Sequence, residues 1–377
     1  MEQRRIYFDH AATTPLDSGA LEKMLPYYTE IFGNPDSPHF FGRKAQGAVD
    51  SARDKIASLL NAKPSEIYFT SGGTESDNWA FLGGARAKKK DGRDKVVLTA
   101  IEHHALLSAA QTLESEGFEV CFLPVDKDGK VCLKTAQERI DERTAIVACM
   151  AANNETGVIQ PYREVVEYAK KVGALTLVDG VQLAPYQRID VKEVGADMFS
   201  ISAHKFYGPK GVGVLYIKSG VKIEKLIVGG EQERGLRGGT SNVPNIVGMA
   251  YAYEKCVRDM DENNEKIERV KNKFVQAVTA LDGAHINGES KTGVVSVRFD
   301  GIQNTSLLYS LDLEGIAAAA GSACASQSIK PSHVLMAMGL SEKQTGESLR
   351  FSFGKDNTEE EVEKAVAVLK KTIDRIR

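Results

Sequence analysis

The sequence predicts an α/β protein with a mainly parallel sheet in a large domain, joined to a smaller α+β domain. Two observations predict this fold. From about Ser51 to Tyr216, short apolar runs alternate with amphipathic helical patterns, which is the spacing of βαβ units. After Ala250, a long helical stretch is followed by strands and helices in mixed order. A chain of 377 residues is also long enough for two domains.

The first part of the chain supplies the predicted parallel sheet. Its candidate strands are short apolar runs, and most of them lead through a turn into a helical pattern. The strands are SEIYFT, DKVVLTA, EVCFLPV, TAIVACM, ALTLVD, ADMFSIS and GVGVLYIK. The helices between them include TESDNWAFLGGARAK, LLSAAQTLESEG and YREVVEYAKKVG. Because parallel strands need such crossover helices, this alternation predicts a mainly parallel sheet.

The second part of the chain predicts a smaller domain. The stretch YAYEKCVRDMDENNEKIERVKNKFVQAVTALDG has the charge pairs and apolar spacing of one long amphipathic helix. Strand patterns such as TGVVSVRFDG and SLRFSFGK then alternate with helices, and TEEEVEKAVAVLKKTIDRI ends the chain as a helix. We place the large domain at residues 16–255. The small domain takes residues 256–377 together with an N-terminal arm, residues 1–15.

Composition narrows the class of partner. The formal net charge is −3, so the composition favours neither nucleic acid nor an anionic membrane as the main partner. The N-terminus has no apolar signal region, and no apolar run approaches the ~18 residues that span a bilayer. Five cysteines without CxxC spacing predict a reducing compartment and no metal site. We therefore expect a cytoplasmic protein.

One cysteine stands apart from the other four. Cys324 lies in AAAAGSACASQSIKPS, among Ala, Gly and Ser, whereas buried cysteines usually lie among large apolar residues. A reactive thiol needs exposure and freedom to reach its target, so Cys324 is a candidate nucleophile. The alternative is a buried cysteine at the start of a helix. The others are expected to be core residues of two strands, a residue after a turn and a helical residue: Cys121, Cys149, Cys132 and Cys256.

Polar residues follow three predicted strands at the edge where ligands collect in open α/β sheets. Ser71 opens SGGTES, whose glycines and helix start favour an anion, although an ordinary N-cap is the alternative. Asp179 ends a second strand and could pair with a buried cation or cap a helix. Ser202, His204 and Lys205 follow a third strand. By itself, Lys205 would be a surface lysine.

The combination has a chemical interpretation that the single residues lack. A buried lysine amine can form a Schiff base, an aspartate can pair with a protonated ring nitrogen, and a helix start can bind a phosphate. These three groups together fit pyridoxal phosphate (PLP). The strand ends therefore predict a PLP site.

Motifs in the expected order cover nearly the whole chain and carry a family resemblance. They are YFDHAATTPL, FGNPDSPHFFGRKA, FTSGGTESDN, IEHHA, NNETGVIQP, VDGVQ, SAHKFYGPKGVG, RGLRGGTSNV, GSACAS and LRFSFG. The chain resembles the cysteine desulfurases, the NifS/IscS-like branch of the class V aminotransferase family of PLP enzymes. The resemblance implies a fold-type I PLP-dependent transferase that forms a homodimer.

The resemblance implies a role for each matching residue around the cofactor. Lys205 would form the Schiff base with PLP, Asp179 would pair with the ring nitrogen, and His103 would stack on the ring and shuttle protons. Gln182 would hydrogen-bond the ring hydroxyl oxygen. Asn154 is also counted with the cofactor. The phosphate would be bound by Gly73, Thr74, Ser202 and His204, with Thr240 from the other subunit. His104 is interpreted as structural.

The resemblance also implies the substrate and the reaction. Asn154 and Arg350 would hold the carboxylate of L-cysteine, with Asn34 assisting; without the resemblance, Arg350 would be assigned to a surface ion pair. Cys324 would take the substrate sulfur as a persulfide, leaving L-alanine. The sulfur would pass to a protein acceptor for iron–sulfur cluster, thiolated tRNA or cofactor synthesis.

Some positions depart from the family pattern. Gly180 and Leu183 stand where VDAVQA is expected, and Met150 to Ala152 precede NNETG where relatives carry His or Leu. These departures bear on substrate fit and rate and not on the cofactor. Three alternatives remain: a selenocysteine lyase, which needs no protein thiol; another class V aminotransferase or lyase; and a sulfur carrier without catalysis.

Overall fold

The computed structural model describes residues 5–321 and 331–376. Cys324 therefore lies outside the described residues. The strands are β1 Ile6–Tyr7, β2 Ile67–Thr70, β3 Lys95–Thr99, β4 Glu119–Leu123, β5 Thr144–Met150, β6 Leu175–Asp179, β7 Met198–Ser202, β8 Gly213–Ile217, β9 Ala284–Ile286, β10 Val294–Phe299, β11 Ile316–Ala317 and β12 Ser348–Ser352.

The helices of the described residues vary from one turn to more than five. They are α1 Ser18–Met24, α2 Pro26–Thr29, α3 Phe40–Leu59, α4 Gly73–Lys89, α5 His104–Ser115, α6 Leu133–Arg139, α7 Tyr162–Lys171, α8 Val191–Val194, α9 Val243–Arg258, α10 Met260–Thr279, α11 Asn304–Leu313, α12 His333–Ala337, α13 Glu342–Gly346 and α14 Glu359–Ile376. Short 3-10 helices lie at Pro64–Glu66, Ala203–Lys205 and Glu233–Gly235.

A seven-stranded sheet forms the centre of the molecule, in the order β2-β8-β7-β6-β5-β3-β4. The strands from β7 to β4 run parallel, and β8 is antiparallel to both β7 and β2. Strands β5, β6 and β7 are buried along their whole length, as expected for parallel strands covered on both faces. The predicted α/β class with a mainly parallel sheet is confirmed.

Helices cover both faces of this sheet. One face packs against α4 and α5 through residues such as Trp79, Phe81 and Leu106. The other face packs against α3, α7 and α9 through residues such as Ile56 and Tyr253. Burial of these two apolar layers holds the sheet rigid. It therefore fixes where the carboxyl ends of β5, β6 and β7 lie.

A second, antiparallel sheet has the order β12-β10-β9. Its core combines residues of α10, α11 and α14, and the ring of Phe274 contacts the rings of both Phe351 and Phe353. The N-terminal strand β1 pairs in parallel with β11, which brings the start of the chain to this region. The domain boundaries drawn from the sequence stay a prediction.

The single long helix predicted across residues 251–283 is wrong. The helix is interrupted at Asp259, whose φ of −94° and ψ of 9° are not helical, so α9 ends at Arg258 and α10 begins at Met260. Tyr253 of α9 packs in the core of the seven-stranded sheet, whereas Phe274 of α10 packs in the core of the three-stranded sheet. No Gly or Pro marks the break in the sequence. Tertiary packing onto two different cores determines it.

One of the expected core cysteines also differs. Cys121 lies on β4, the edge strand of the seven-stranded sheet, and is half-buried, whereas Cys149 on β5 is buried. An apolar run cannot distinguish an edge strand from a central one by its residues alone. Within residues 5–321 and 331–376, no helix combines the length and the apolar character that crossing a membrane requires.

Candidate functional site

A cavity of about 170 Å³ lies at the carboxyl edge of the central sheet. The ends of three adjacent parallel strands form its floor: Met150 ends β5, Asp179 ends β6 and Ser202 ends β7. Of the predicted site residues, the cavity is lined by Gly73, Thr74, His103, Asn154, Asp179, Gln182, Ser202, His204, Lys205 and Arg350. Residues far apart in the sequence therefore meet at one edge of the sheet.

Two of the predicted site residues lie elsewhere on this chain. Asn34 is exposed, and its Oδ1 accepts a hydrogen bond from the backbone N–H of Asp36 at 3.0 Å. Thr240 is also exposed and does not line the cavity of its own chain. The part predicted for Thr240 belongs to the cavity of a second subunit, so both assignments stay predictions.

Lys205 ends the 3-10 helix that follows β7. Its Nζ donates hydrogen bonds to the carbonyl oxygens of Ala11 at 2.6 Å and Ala12 at 2.9 Å. The Nε2 of Gln182 also donates to the carbonyl oxygen of Ala11, at 2.9 Å. The N-terminal segment thus holds the lysine amine and the glutamine amide together at one wall of the cavity.

His103 is the N-cap of α5, and its Nδ1 accepts a hydrogen bond from the backbone N–H of Ala105 at 3.2 Å. This bond assigns the ring proton to Nε2 and fixes the orientation of the ring. Burial, together with the nearby charge of Lys205, lowers the pKa of His103 to about 4. An uncharged, fixed imidazole is suited to stack on an aromatic ring.

Asp179 faces the cavity from the end of β6. Its Oδ1 accepts a hydrogen bond from the backbone N–H of Val181 at 2.9 Å. Burial raises the pKa of Asp179 to about 6, against the lowering effects of that hydrogen bond and of Lys205. A buried carboxylate of this kind is stabilised by a cation that enters the cavity.

The start of α4 provides the features of an anion site. Its N-cap is Gly72, with φ at +149° and no side chain to bond the first N–H groups of the helix. A Cβ on Gly73 would come within 2.9 Å of Val181 Cγ2, so a side chain there would fill the cavity wall. Ser202 and His204 line the same cavity. Free helix N–H groups next to two polar side chains suit a phosphate.

Arg350 lies on β12 and is only 2% exposed. Its Nη2 donates to Asp9 Oδ1 at 2.8 Å, and its Nη1 donates to the carbonyl oxygen of Asn154 at 3.0 Å. Its Nε has no hydrogen-bond partner among the described residues. Arg350 is thus ion-paired, but it is buried at the cavity and is not the surface residue that its strand alone would indicate.

The described residues on either side of the Cys324 segment lie beside this cavity. Ala319 exchanges two backbone hydrogen bonds with Arg350, at 2.7 and 3.0 Å. Ser332 donates a hydrogen bond through its hydroxyl to Glu155, which follows the cavity residue Asn154. The chain therefore leaves and re-enters the described structure at the cavity wall that contains Arg350 and Asn154.

A second cavity, of about 220 Å³, lies next to the first and shares Lys205 and Gln182 with it. It is lined by residues between α9, α10 and the end of β12, such as Tyr207, Cys256 and Phe353. It contains none of the strand-end groups at Asp179 or Ser202. We therefore assign the chemistry to the smaller cavity.

Residues 6–365 match the family described as Aminotransferase class-V. The chain belongs to the class-V aminotransferase family. The resemblance drawn from the motifs is thereby confirmed at the level of the family.

Relatives of this class-V aminotransferase include proteins named "Cysteine desulfurase IscS". The one from Clostridium botulinum (strain Hall) is 45% identical over 380 residues, covering 99% of this chain and 96% of that protein. The one from Methanosarcina thermophila is 42% identical over 379 residues, covering 100% of this chain and 94% of that protein.

Solved structures give the same relationship. A "NIFS-LIKE PROTEIN" superposes with a TM-score of 0.92 at 40% identity, covering 99% of this chain and 100% of that chain. "SspA in complex with cysteine" superposes with a TM-score of 0.82 at 33% identity, covering 94% of this chain and 100% of that chain. The similarity extends over both sheets of the class-V fold.

Class-V aminotransferases of the cysteine desulfurase type depend on PLP, and the cavity fits that cofactor. Within the part of the chain that the structure describes, no cationic side chain is ion-paired with the buried Asp179; the start of α4 has no side-chain cap, and Lys205 presents an amine to the same cavity. When bound, PLP supplies an electron sink that stabilises negative charge on the substrate carbon next to the amino group.

Two cavity-edge acids were not identified from the sequence. Asp77 on α4 lines the cavity, and Glu102 directly precedes His103; both are buried. The spacing of Asp77 offered a signal, because it lies three residues before Ala80 and seven before Gly84, on the buried face of the helix. The motif IEHHA offered none for Glu102, since its neighbours are two histidines.

The departure at Gly180 has a packing reason. A Cβ at Gly180 would lie 1.9 Å from Cε1 of Phe199 on the neighbouring strand β7. The ring of Phe199 therefore occupies the space that an alanine side chain would need. Leu183 is buried in the core of the central sheet, and Met150 lines the cavity itself. The departures thus alter the packing behind the cavity and one part of its wall.

Proposed function

We propose that this chain is a cysteine desulfurase that converts L-cysteine to L-alanine and captures the sulfur on Cys324. The observation that carries the proposal is that one flank of the Cys324 segment bonds to a residue that lines the cavity containing Lys205, and the other bonds to the neighbour of a lining residue. Ala319 bonds to Arg350 on one side, and Ser332 bonds to Glu155 on the other. These two anchors support a role for Cys324, which lies between them in the sequence, as the sulfur acceptor.

The sulfur transfer balances without a further reactant. The bond between the substrate Cβ and its sulfur breaks, and a bond between that sulfur and Cys324 Sγ forms. The electron pair of the broken bond stays on carbon, which is reduced and takes a proton, while the two sulfurs become a persulfide. One thiol and one cysteine thus yield one persulfide and one alanine.

Each cavity residue has a place in this proposal. Lys205 holds the cofactor covalently, Asp179 balances the proton on its ring nitrogen, and His103 stacks on the ring and moves protons through Nε2. Gln182 and Asn154 contact the ring substituents. The phosphate is bound by Gly73, Thr74, Ser202 and His204, with Thr240 from the second subunit. The contacts that support these roles are the fixed ring of His103, the buried Asp179 and the uncapped start of α4.

Arg350 is placed to hold the substrate carboxylate. Its guanidinium is buried at the cavity, one of its donors is free, and Asn154 is adjacent to it. A guanidinium presents two parallel donors to a carboxylate, which also orients the substrate. Asn34 lies in a loop outside the cavity, and its proposed part is to assist Arg350 and Asn154.

A homodimer is part of the proposal, because Thr240 is exposed and does not line the cavity of its own chain that contains Lys205. An exposed aromatic patch, consisting of Tyr28, Phe32, Phe40 and Phe41, supports it. These side chains are 46–64% exposed, and the rings of Phe32 and Phe41 stack at a centroid distance of 5.4 Å. Exposed aromatic clusters of this kind mark protein interfaces.

The proposal also includes a cytoplasmic location and a protein that accepts the sulfur. That acceptor would serve iron–sulfur cluster, thiolated tRNA or cofactor synthesis.

The experiment follows sulfur and alanine in the same tubes. The purified PLP-loaded protein is treated briefly with L-cysteine without reductant, and its intact mass is measured before and after peptide mapping. We expect a gain of sulfur on Cys324, with alanine release. Cys324→Ala is expected to lose both, whereas Cys132→Ala, which removes another thiol, keeps both.

Each result that contradicts the proposal indicates one of the alternative functions. Alanine release that survives in Cys324→Ala, without a sulfur adduct, contradicts the desulfurase and indicates a lyase, for which selenocysteine is then the substrate to test. Accumulation of the pyridoxamine form with an amino acid indicates an aminotransferase. Purified protein without visible absorbance indicates a protein that has lost the chemistry.

A further inference from the structure

Two buried acids flank Asp179, and the proposed reaction uses neither of them. Met150, Asp179 and Ser200 are register partners on the adjacent parallel strands β5, β6 and β7. On one side, Glu102 Oε1 accepts a hydrogen bond from the backbone N–H of Met150 at 2.8 Å. On the other side, Asp77 Oδ1 accepts one from Ser200 Oγ at 2.6 Å. Three carboxyl groups therefore stand in one row across the sheet edge.

Because these carboxyl groups are buried, ionising all three of them at once is unfavourable in free energy. Asp77 and Glu102 are 1% and 0% exposed. Glu102 Oε1 also accepts from Thr99 Oγ1 at 2.6 Å, but its Oε2 has no partner among the described residues. A buried carboxylate without a partner for its charge is unfavourable, so such a group favours its protonated form.

The pKa values of the two acids are raised for the same physical reason. Burial first, with a smaller contribution from the nearby Asp179, raises the pKa of Glu102 to about 8, against the lowering effect of its hydrogen bonds to Thr99 and Met150. Burial raises the pKa of Asp77 well above its ordinary value, with Asp179 and Glu102 acting in the same direction. Both acids therefore favour the uncharged form at neutral pH, and this agrees with the geometry.

The surrounding groups do not neutralise these acids. Lys205 acts on Asp179, and Arg350 in the same cavity is paired with Asp9. Close to Glu102, the thiol of Cys149 has a pKa raised by burial, so it carries no charge at neutral pH. His103, the next residue, is uncharged because its pKa is lowered to about 4.

One further ring contacts Glu102 from outside its own segment. His333 at the start of α12 makes a hydrogen bond through Nε2 with the backbone carbonyl oxygen of Glu102, at 2.9 Å. This contact is to the main chain and leaves the carboxyl group as it is.

We propose that Asp77 and Glu102 are positioning residues that flank Asp179 as uncharged carboxylic acids, so that Asp179 alone presents a negative charge to the ring nitrogen of the cofactor. This inference rests on the proposed function, because it takes the ring nitrogen to face Asp179. Two protonated neighbours leave one charge for one pyridinium proton. Their bonds to Met150 and Ser200 also hold the strands on either side of β6 in register at Asp179.

The test reads the protonation of the acids directly. Infrared spectra of the full-length PLP-loaded protein are recorded near pH 7, where exposed carboxyl groups are ionised and lack the carbonyl stretch of a carboxylic acid. We expect the wild type to show this stretch. Glu102→Gln and Asp77→Asn, which keep shape and neutrality, are each expected to lose one component of it. The inference is overturned if neither substitution removes intensity.

A second measurement covers the case in which a variant folds poorly. The wild type alone is titrated towards alkaline pH, and the carboxylic-acid stretch is expected to persist through neutrality and to disappear only above pH 8. Its absence at neutral pH contradicts the inference without any variant.

The pH dependence of the visible band of the bound cofactor provides a third measurement. A purely structural role of Asp77 would leave it unchanged. Asp77→Asn is expected to keep the visible band of the bound cofactor and the pH dependence of that band, whereas Asp77→Ala shifts the pH dependence. Equal shifts in both variants would mean that the acid acts through its charge, against the inference. Alanine release is assayed separately on the same samples. Absence of activity with the infrared bands present contradicts the proposed function and leaves this inference standing.

Discussion

Two buried acidic sites in this protein differ in whether a cationic side chain of the same chain pairs with the acid. Glu233 is 8% exposed and is bonded by both guanidinium nitrogens of Arg53, at 2.7 and 2.8 Å, and by the backbone N–H of Phe69 at 3.0 Å. Asp179, with Asp77 and Glu102 beside it, is similarly buried, but no ion pair joins it to a guanidinium or ammonium group within residues 5–321 and 331–376.

The difference between the two sites distinguishes a structural ion pair from an acidic site that can bind a ligand. The Arg53–Glu233 pair satisfies its charges within the chain, so it needs nothing from outside and secures α3 to the start of β2. The row at Asp179 leaves charge to be balanced by a molecule that enters the cavity. A buried acid without its own cation is therefore the better indicator of a binding site.

The largest expected effect comes from removing one partner of the buried Arg53–Glu233 ion pair. Arg53→Ala leaves Glu233 buried without its partner, and we expect a loss of about 3–5 kcal/mol in the free energy of unfolding. Chemical denaturation of the PLP-loaded protein measures it. The matched control is Arg188→Ala, which removes an exposed pair with Asp261 and should cost less than about 1 kcal/mol. Equal losses in the two variants would remove the contrast.

The next effect tests the unsatisfied site. Asp179→Asn removes the charge that faces the cofactor ring, and we expect alanine release to fall by about 100-fold or more. The visible spectrum and its pH dependence should change as well, since the ring nitrogen loses its acidic partner. Asp300→Asn, at an exposed carboxylate on the edge of the other sheet, serves as the control and should leave both unchanged. A variant that retains full activity would refute the role of Asp179.

The third effect has a definite sign with pH. The pKa of Glu102 is raised from 4.5 to about 8, so the folded state binds a proton that the unfolded chain has lost between these values. The stability from this group is complete below pH 4.5 and is lost as pH rises through 8. Glu102→Gln should therefore be more stable than the wild type by about 1 kcal/mol or more at pH 9, and less so at pH 5.

Thermal unfolding of the two proteins across this pH range provides the measurement. A constant difference between pH 5 and pH 9 would mean that Glu102 does not change its protonation on folding. Lower stability of Glu102→Gln at pH 9 would mean that the carboxylate is stabilised in place, as Glu233 is.

The smallest expected effect concerns the Asp9–Arg350 pair, in which the hydrogen-bonding groups are only partly satisfied. Asp9 and Arg350 are ion-paired at 2.8 Å, but Arg350 keeps one donor free at the cavity. Asp9→Asn should loosen the orientation of the guanidinium and raise KM for L-cysteine a few-fold, about 1 kcal/mol, with little change in kcat. Steady-state kinetics measures both. A changed kcat with constant KM would show that Asp9 acts on the reaction step and not on substrate binding.

Much of the fold could be predicted from local pattern. The apolar runs from β2 to β8 and the helices between them follow from residue spacing, and the polar residues at the strand ends identify the active edge. Asp179 and Lys205 were recognised because each follows a predicted strand, whereas His103 was recognised only through the family resemblance of the motif IEHHA. The break at Asp259 could not be predicted, because it depends on two cores that lie far apart in the sequence.

The roles of Asp77, Glu102 and Asp9 also depended on tertiary structure. In the sequence they are ordinary acids within FTSGGTESDN, IEHHA and YFDHAATTPL. Only the register of β5, β6 and β7 places Asp77 and Glu102 on either side of Asp179, and only β12 brings Arg350 to Asp9.

By itself, therefore, the sequence determined the class of fold and the edge of the sheet where the candidate site lies, and it predicted the residue types of that site. These properties are encoded in short-range periodicity and in side chains at strand ends. The tertiary structure decided which charges are satisfied and which are left for a ligand, as the contrast between Glu233 and Asp179 illustrates. The physical reason is that burial and pairing are long-range: a carboxyl group is costly or stable according to what distant segments place beside it.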